Sequence, residues 1–309
     1  MKPQNLFSGE HYYDAAKEAR FKPHPLLQCV IFWAFFFAST VLAAMPSTVS
    51  TIVIFLSDAF FPDDPAMADS LSLISYMLGT SIPITLIIIY CKFVERRSVA
   101  SLGFKKEGCI KLYLIGLLFG MAAISATVGI CCAVGAASYN GNVFSNAPIF
   151  AVICIGWVFQ GAEEEILCRG WLMTTLSTRL PIWAAVLINS LFFALGHLGN
   201  SGFGPIPFVN LMLCGLWFSL LAIRCDSLIP CCAAHSIWNL AQGCIFGISV
   251  SGSANLPSVW SITFIDNREL WSGGSFGAEG GLACTVVLAA AALATWLLPK
   301  RKKETKEAN

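Results

Sequence analysis

Eight stretches of this chain are apolar over roughly 20 residues or more, the length a helix needs to cross the hydrocarbon core of a bilayer. They run over 26–56, 71–91, 110–137, 148–176, 182–199, 205–223, 228–250 and 281–298. The first is overlong and contains Pro46, which allows a kink or a re-entrant segment. The sequence between the stretches is short and leaves no room for a soluble domain. Composition agrees: charged residues make up 12% of the chain and hydrophobic ones 56%, whereas soluble domains carry about 25% charged residues. A net charge of +1 excludes a nucleic-acid binder driven by bulk basicity. The expected fold is an all-α polytopic membrane helix bundle of about eight transmembrane helices, with the lipid bilayer as its first partner.

Positive charge alternates along the chain. Lys2, Lys17, Arg20 and Lys22 precede the first stretch, and Lys92, Arg96, Arg97, Lys105, Lys106 and Lys111 lie between the second and third. Arg179 follows the fourth, Arg224 the sixth, and Lys300, Arg301, Lys302, Lys303 and Lys306 the eighth. The intervening loops hold Asp58, Asp63, Asp64 and Asp69, then no charge, then Asp266, Arg268, Glu269 and Glu279. The positive-inside rule therefore puts both termini in the cytoplasm. The polar first 24 residues lack the apolar core of a signal peptide, so the first stretch reads as an uncleaved anchor. Residues 10–20 fit either a short interfacial helix or a solvated tail. The loop at 252–280 has no repeat, and Gly116 with Gly120 form a G-x-x-x-G that lets another helix approach closely.

Ionisable side chains in a membrane interior cost at least ~2.5 kcal/mol each and call for a reason. Glu163, Glu164 and Glu165, followed by Arg169, interrupt the fourth apolar stretch, and His197 and His235 lie in the fifth and seventh. Glu165 and Arg169 stand four apart and can pair on one helix face, while Glu164 points about 100° away and is free for another task. Phe193 and His197 share the four-residue spacing, as do His235 and Asn239. With a turn at Leu180–Pro181, Glu164 and His197 both stand ~24 Å above it on adjacent antiparallel helices and should meet. His235, counted from Asp226, reaches only ~13 Å, so helix tilt or an indented loop has to supply the difference.

Two chemistries suit a carboxylate, two imidazoles and an amide that converge inside a membrane. In one, Glu164 deprotonates a water held with His197, while His235 and Asn239 donate hydrogen bonds to a developing oxyanion. In the other, Glu164, His197 and His235 ligate a divalent metal such as zinc that activates the water. The sequence leaves the metal open, since it contains no H-E-x-x-H.

These residues resemble the CPBP family, named for CAAX proteases and bacteriocin-processing enzymes. Glu164-Glu165-Ile-Leu-Cys-Arg169 is similar to its EExxxR motif, Phe193-Ala-Leu-Gly-His197 to FxxxH, and His235-Ser-Ile-Trp-Asn239 to HxxxN. The segments Gly273–Gly280 and Ser101–Phe104 look like its peripheral elements. The resemblance implies an intramembrane endopeptidase of a glutamic or metallo type, acting on a membrane protein or peptide. Glu164 and His197 would activate water, His235 and Asn239 would stabilise the oxyanion, and Glu165 with Arg169 would support the site. It divides the chain into a cytoplasmic tail (1–25), N-terminal transmembrane helices (26–146), a protease core in helices four to seven (147–250), an extracytoplasmic loop (251–280), and a last helix with a basic tail (281–309). The compact chain fits a bacterial plasma membrane.

Simpler readings compete. Glu165–Arg169 alone is a structural ion pair, a single buried histidine is helix–helix glue, and Gln160, Asn189 and Asn210 read the same way. Glu163 reads as structural, Phe193 as packing and Cys168 as filler. The 13 cysteines mostly fall in apolar stretches with no C-x-x-C spacing and read as small buried residues. Rival functions are a proton- or ion-coupled transporter, against which stands the lack of an internal repeat, and a silent immunity or scaffold protein.

Overall fold

The computed structural model describes residues 11–58, 79, 81–144, 147–253 and 257–298, and these are mostly helical. Each of the eight apolar stretches contains a described helix. These are α1 (Pro25–Asp58), α2 (Ser81–Ile89), α3 (Cys109–Ala133), α4 (Ala147–Glu165), α5 (Ile182–Leu195), α6 (Pro205–Cys225), α7 (Ile229–Leu240) and α8 (Leu282–Leu297). Three segments are long and apolar enough to cross a membrane: Pro25–Leu42 within α1, α3, and α6. Helix α1 runs through Pro46 as one helix of 34 residues rather than as a re-entrant pair. Residues 71–78 of the second stretch lie outside the described residues.

Local sequence sets the breaks. Pro181 precedes α5, Pro205 opens α6 and Pro230 sits in the first turn of α7, positions where the missing amide proton costs no helical bond. Asp226 takes a left-handed conformation that ends α6. Helices α2, α4 and α7 each run on into a π-helical turn, over Tyr90–Glu95, Ile166–Leu172 and Ala241–Ile245. Such turns gather at functional sites. Two of the three adjoin the residues singled out above.

The all-α expectation needs one correction. Ala137–Asn142 (β1) and Trp260–Phe264 (β2) form an antiparallel pair, with Ala137 opposite Phe264 and Tyr139 opposite Ile262. Strand β2 lies within the loop at 252–280, in which the sequence shows no repeat.

Helix α7 is the hub, packed against α3, α4 and α6, and nearly all of its residues are buried. Glycines permit that crowding. A Cβ at Gly116 or Gly120 of α3 would strike the carbonyls of Pro230 and Ala234, and one at Gly161 of α4 would stand 2.6 Å from the Ser236 amide nitrogen. The G-x-x-x-G thus seats α3 on α7, while Gly161 brings α4 against the turn that carries His235.

The depth mismatch resolves as an indented loop. Leu228, just before α7, abuts Gly170 rather than the Leu180 level. Gly170 lies six residues beyond Glu164, and Leu228 lies seven before His235, so the two side chains reach similar heights of ~9–10 Å. The indentation is filled from below. Residues Tyr12–Glu18 form a 3-10 helix, and Val99–Leu102 form a second one beside it. The Leu228 and Tyr12 amides donate to Gly103 O and Asp226 Oδ1, and Tyr12 Oη donates to Arg169 O at 3.2 Å. Tyr12, Tyr13 and Ala16 are buried. This segment is therefore neither a solvated tail nor an interfacial helix; it plugs the bundle.

The same end holds a buried ion pair. Arg97 Nε donates to Glu95 Oε2 at 2.6 Å, and Trp171 Nε1 donates to Glu95 Oε1 at 3.0 Å. Arg224 donates to the carbonyls of Thr295 and Trp296 at the C-terminal end of α8, where a cation is favourable.

Candidate active site

The last turn of α4 and the π turn after it deliver the acidic cluster. Glu165 and Arg169 are fully buried, and Arg169 Nη1 donates to Glu165 Oε1 at 2.8 Å. His235 Nδ1 meets that same oxygen at 3.0 Å. A carboxylate only accepts, so Nδ1 carries the proton and donates. The Arg169 guanidinium lies over the Phe193 ring at 4.5 Å and the Phe218 ring at 5.6 Å, and these faces stand where further hydrogen-bond partners are absent. Glu165 thus holds an arginine from its own helix and the imidazole of α7 at one atom.

Glu164 points elsewhere, as the helical spacing requires. Its side chain keeps 29% of its surface exposed, with Oε2 3.9 Å from His235 Nε2. Gln160 Nε2 donates to Glu164 Oε1, and Gln160 Oε1 accepts from Asn239 Nδ2 at 2.8 Å. His197 sits just past the end of α5, with Nδ1 2.8 Å from the Phe193 carbonyl. That carbonyl can only accept, so His197 carries its proton on Nδ1 and leaves Nε2 as an acceptor. Glu164, His197, His235 and Asn239 line one cavity of about 510 Å³, with Trp157, Trp238 and Phe218 among its walls. Glu163 and Cys168 instead line a neighbouring, mostly apolar cavity of about 740 Å³ walled by aromatic residues of α1; Gln160, Glu164, Phe193 and His197 border both.

Glu164, His197 and His235 would be the set for a divalent metal. Among the described residues, no three His, Cys, Asp or Glu side chains gather as a metal-holding group. His235 Nδ1 is committed to Glu165, and His197 Nδ1 to a backbone carbonyl.

Residues 145–241 match the family model of the type II CAAX prenyl endopeptidase, Rce1-like. That segment is similar to the Rce1-like endopeptidases. It covers about a third of the chain, spans α4 to α7, contains all six expected site residues, and is consistent with a CPBP intramembrane protease. No curated protein and no solved structure matches the chain significantly. The match and the three long apolar helices are those of an integral membrane protein.

Two residues at the cavity escaped the sequence reading. Gln160 precedes Glu164 by one helical turn inside the matched segment, so its spacing was visible, yet it read as helix glue. Glu279 lies outside that segment, in a 3-10 turn (Ala278–Gly280) before α8, and reaches the cavity only through the fold. Ser251 donates to Glu279 Oε1 through both its amide and its hydroxyl, the latter at 2.6 Å. Burial pushes the Glu279 carboxyl above the usual carboxylate range, against the opposing pull of Ser251 and His197.

Proposed function

We propose that this chain is an intramembrane endopeptidase that hydrolyses peptide bonds of membrane-associated proteins or peptides, using a water activated by Glu164. Support comes from one observation above all: a half-buried glutamate, an imidazole with a free acceptor nitrogen, and an imidazole–amide pair line one cavity inside an apolar bundle.

Glu164 takes a proton from the water, which His197 Nε2 orients by accepting its other hydrogen. The hydroxide adds to the scissile carbonyl carbon, and the carbonyl oxygen becomes an oxyanion. Asn239 has a second amide hydrogen beyond the one given to Gln160, and it donates this to the oxyanion. His235 already donates Nδ1–H to Glu165, so it donates from Nε2 as the imidazolium, a charge that Glu165 balances. The intermediate collapses as Glu164 passes its proton to the leaving amine nitrogen. Peptide and water are consumed, and a carboxylic acid and an amine result, which ionise to carboxylate and ammonium. Arg169 pairs with Glu165, and Gln160 ties Glu164 to Asn239.

The positive-inside pattern places the 510 Å³ cavity on the extracytoplasmic side. Its rim is built from Gly199, Asn200, Ser201 and residues 250–253, while the basic connections and the Tyr12 plug lie at the other end. The apolar cavity beside α1 suits the membrane-embedded part of a substrate.

The reading is tested with the purified protein in liposomes and a library of membrane-anchored peptides, with products identified by mass spectrometry. Wild-type protein should cleave, and Glu164→Ala, His197→Ala and His235→Ala should each lower the rate by about 10²-fold or more. Rates unchanged by all three substitutions would sink the mechanism, and proton-coupled flux without cleavage would favour a transporter.

A further inference from the structure

Glu279 sits in the same cavity as Glu164 without a role in the steps above. It is held in place from several sides. Ser251 fixes Oε1, and Asn210 Nδ2 donates to the carbonyls of Glu279 at 2.8 Å and Gly281 at 2.9 Å. The turn before it is clamped to the segment after α7: the Gly252 amide donates to Phe276 O at 2.9 Å, and Gly277, at φ 101°, lies against Ser249 O, leaving no space for a Cβ. Glu279 is therefore a fixed acid facing the cavity, not a solvated loop charge.

Its other oxygen makes no hydrogen bond among the described residues, and the basic side chains that line the cavity are His197 and His235, both with Nδ1 already engaged, with no lysine or arginine among them. The buried guanidinium of Arg169 is committed to Glu165 and lies against Phe193 and Phe218. A carboxylate partly withdrawn from water is stable when it gains a cation. We propose that Glu279 is a specificity-determining residue that selects substrates with an ammonium or guanidinium group close to the scissile bond. This rests on the proteolytic reading and adds the substrate's charge to it. A lysine or arginine side chain and a free amino terminus present the same chemistry.

The test takes one peptide that the wild-type protein cleaves. It is remade with lysine, norleucine or glutamate at each residue flanking the cut, and with a free or acetylated amino terminus placed near the cut. Wild-type protein should favour lysine over norleucine by about 10-fold in kcat/KM, carried by KM, with glutamate poorer still. A preference for the free amino terminus alone would assign the cation to that source. Glu279→Gln keeps an acceptor for Ser251 and should erase the preference while cleaving the norleucine peptide within about 2-fold of wild type. Glu279→Asp should retain the preference. Because the preference is read first on the unmodified protein, it does not depend on how a variant folds. Equal cleavage of every peptide by wild type would overturn the specificity and leave the proteolytic reading standing. An equal loss by Glu279→Gln on all peptides would overturn it in favour of a purely structural clamp. Cleavage of none would overturn both.

Discussion

One carboxylate oxygen, Glu165 Oε1, holds both Arg169 and His235, so the two substitutions that strip it have different consequences. Arg169→Ala leaves the buried carboxylate with His235 as its remaining partner and should cost about 3–5 kcal/mol of stability, read as a fall in unfolding temperature in detergent. Replacing both partners by apolar residues, Glu165→Leu with Arg169→Met, should restore most of that stability. It should not restore cleavage, because His235 then has no acceptor for Nδ1–H and no charge to balance an imidazolium. Recovery of both together would show that the pair is only packing. Gln160→Leu removes the link between Asn239 and Glu164 and should lower kcat by roughly 10-fold, with stability changed by only about 1 kcal/mol. The Glu165–Arg169 pair and the free direction of Glu164 were legible in the sequence because helical spacing alone fixes them. Glu279 was not, because nothing local marks a loop glutamate that a β-pair and a clamped turn carry back to the cavity.

Helix α7 depends on backbone approach more than on side-chain choice. Gly120→Leu should lower the unfolding temperature and the activity together, since it pushes α3 off the Ala234 carbonyl. Gly129, nine residues further along α3, faces open space, and Gly129→Ala should be neutral or gain up to about 1 kcal/mol from helix propensity. Equal effects of the two, measured by thermal unfolding, would contradict the packing account. The G-x-x-x-G was legible as a contact surface, but its partner was not, because a motif of small residues says that a helix approaches without saying which one. The π turns after Glu165 and Leu240 were equally invisible, since no composition distinguishes them from an ordinary helix. Of the two remedies that the sequence allows for the height of His235, helix tilt or an indented loop, the fold takes the loop, since Leu228 packs at the level of Gly170.

For the whole molecule, hydropathy and helical spacing gave the mostly helical architecture, because a bilayer leaves backbone polar groups no partner but their own helix. They left out the N-terminal plug, whose tyrosines are amphipathic and can equally sit at an interface. Tyr12→Ala removes the ring beneath Arg169 and should lower activity and stability together, while Tyr12→Phe, which loses only the 3.2 Å bond to Arg169 O, should cost about 1 kcal/mol. The proposed orientation has its own readout in bacterial cells: a fluorescent protein fused after Asn309 should fluoresce, and alkaline phosphatase fused there should be inactive. The reverse pattern would turn the cavity toward the cytoplasm. The central claim, that Glu164 activates the hydrolytic water, meets its most direct test in Glu164→Gln, which is nearly isosteric but cannot take the proton. Assayed in liposomes on a peptide that wild type cleaves, it should still bind the peptide with similar affinity while losing at least about 10²-fold in kcat. Cleavage by Glu164→Gln at the wild-type rate would contradict the account.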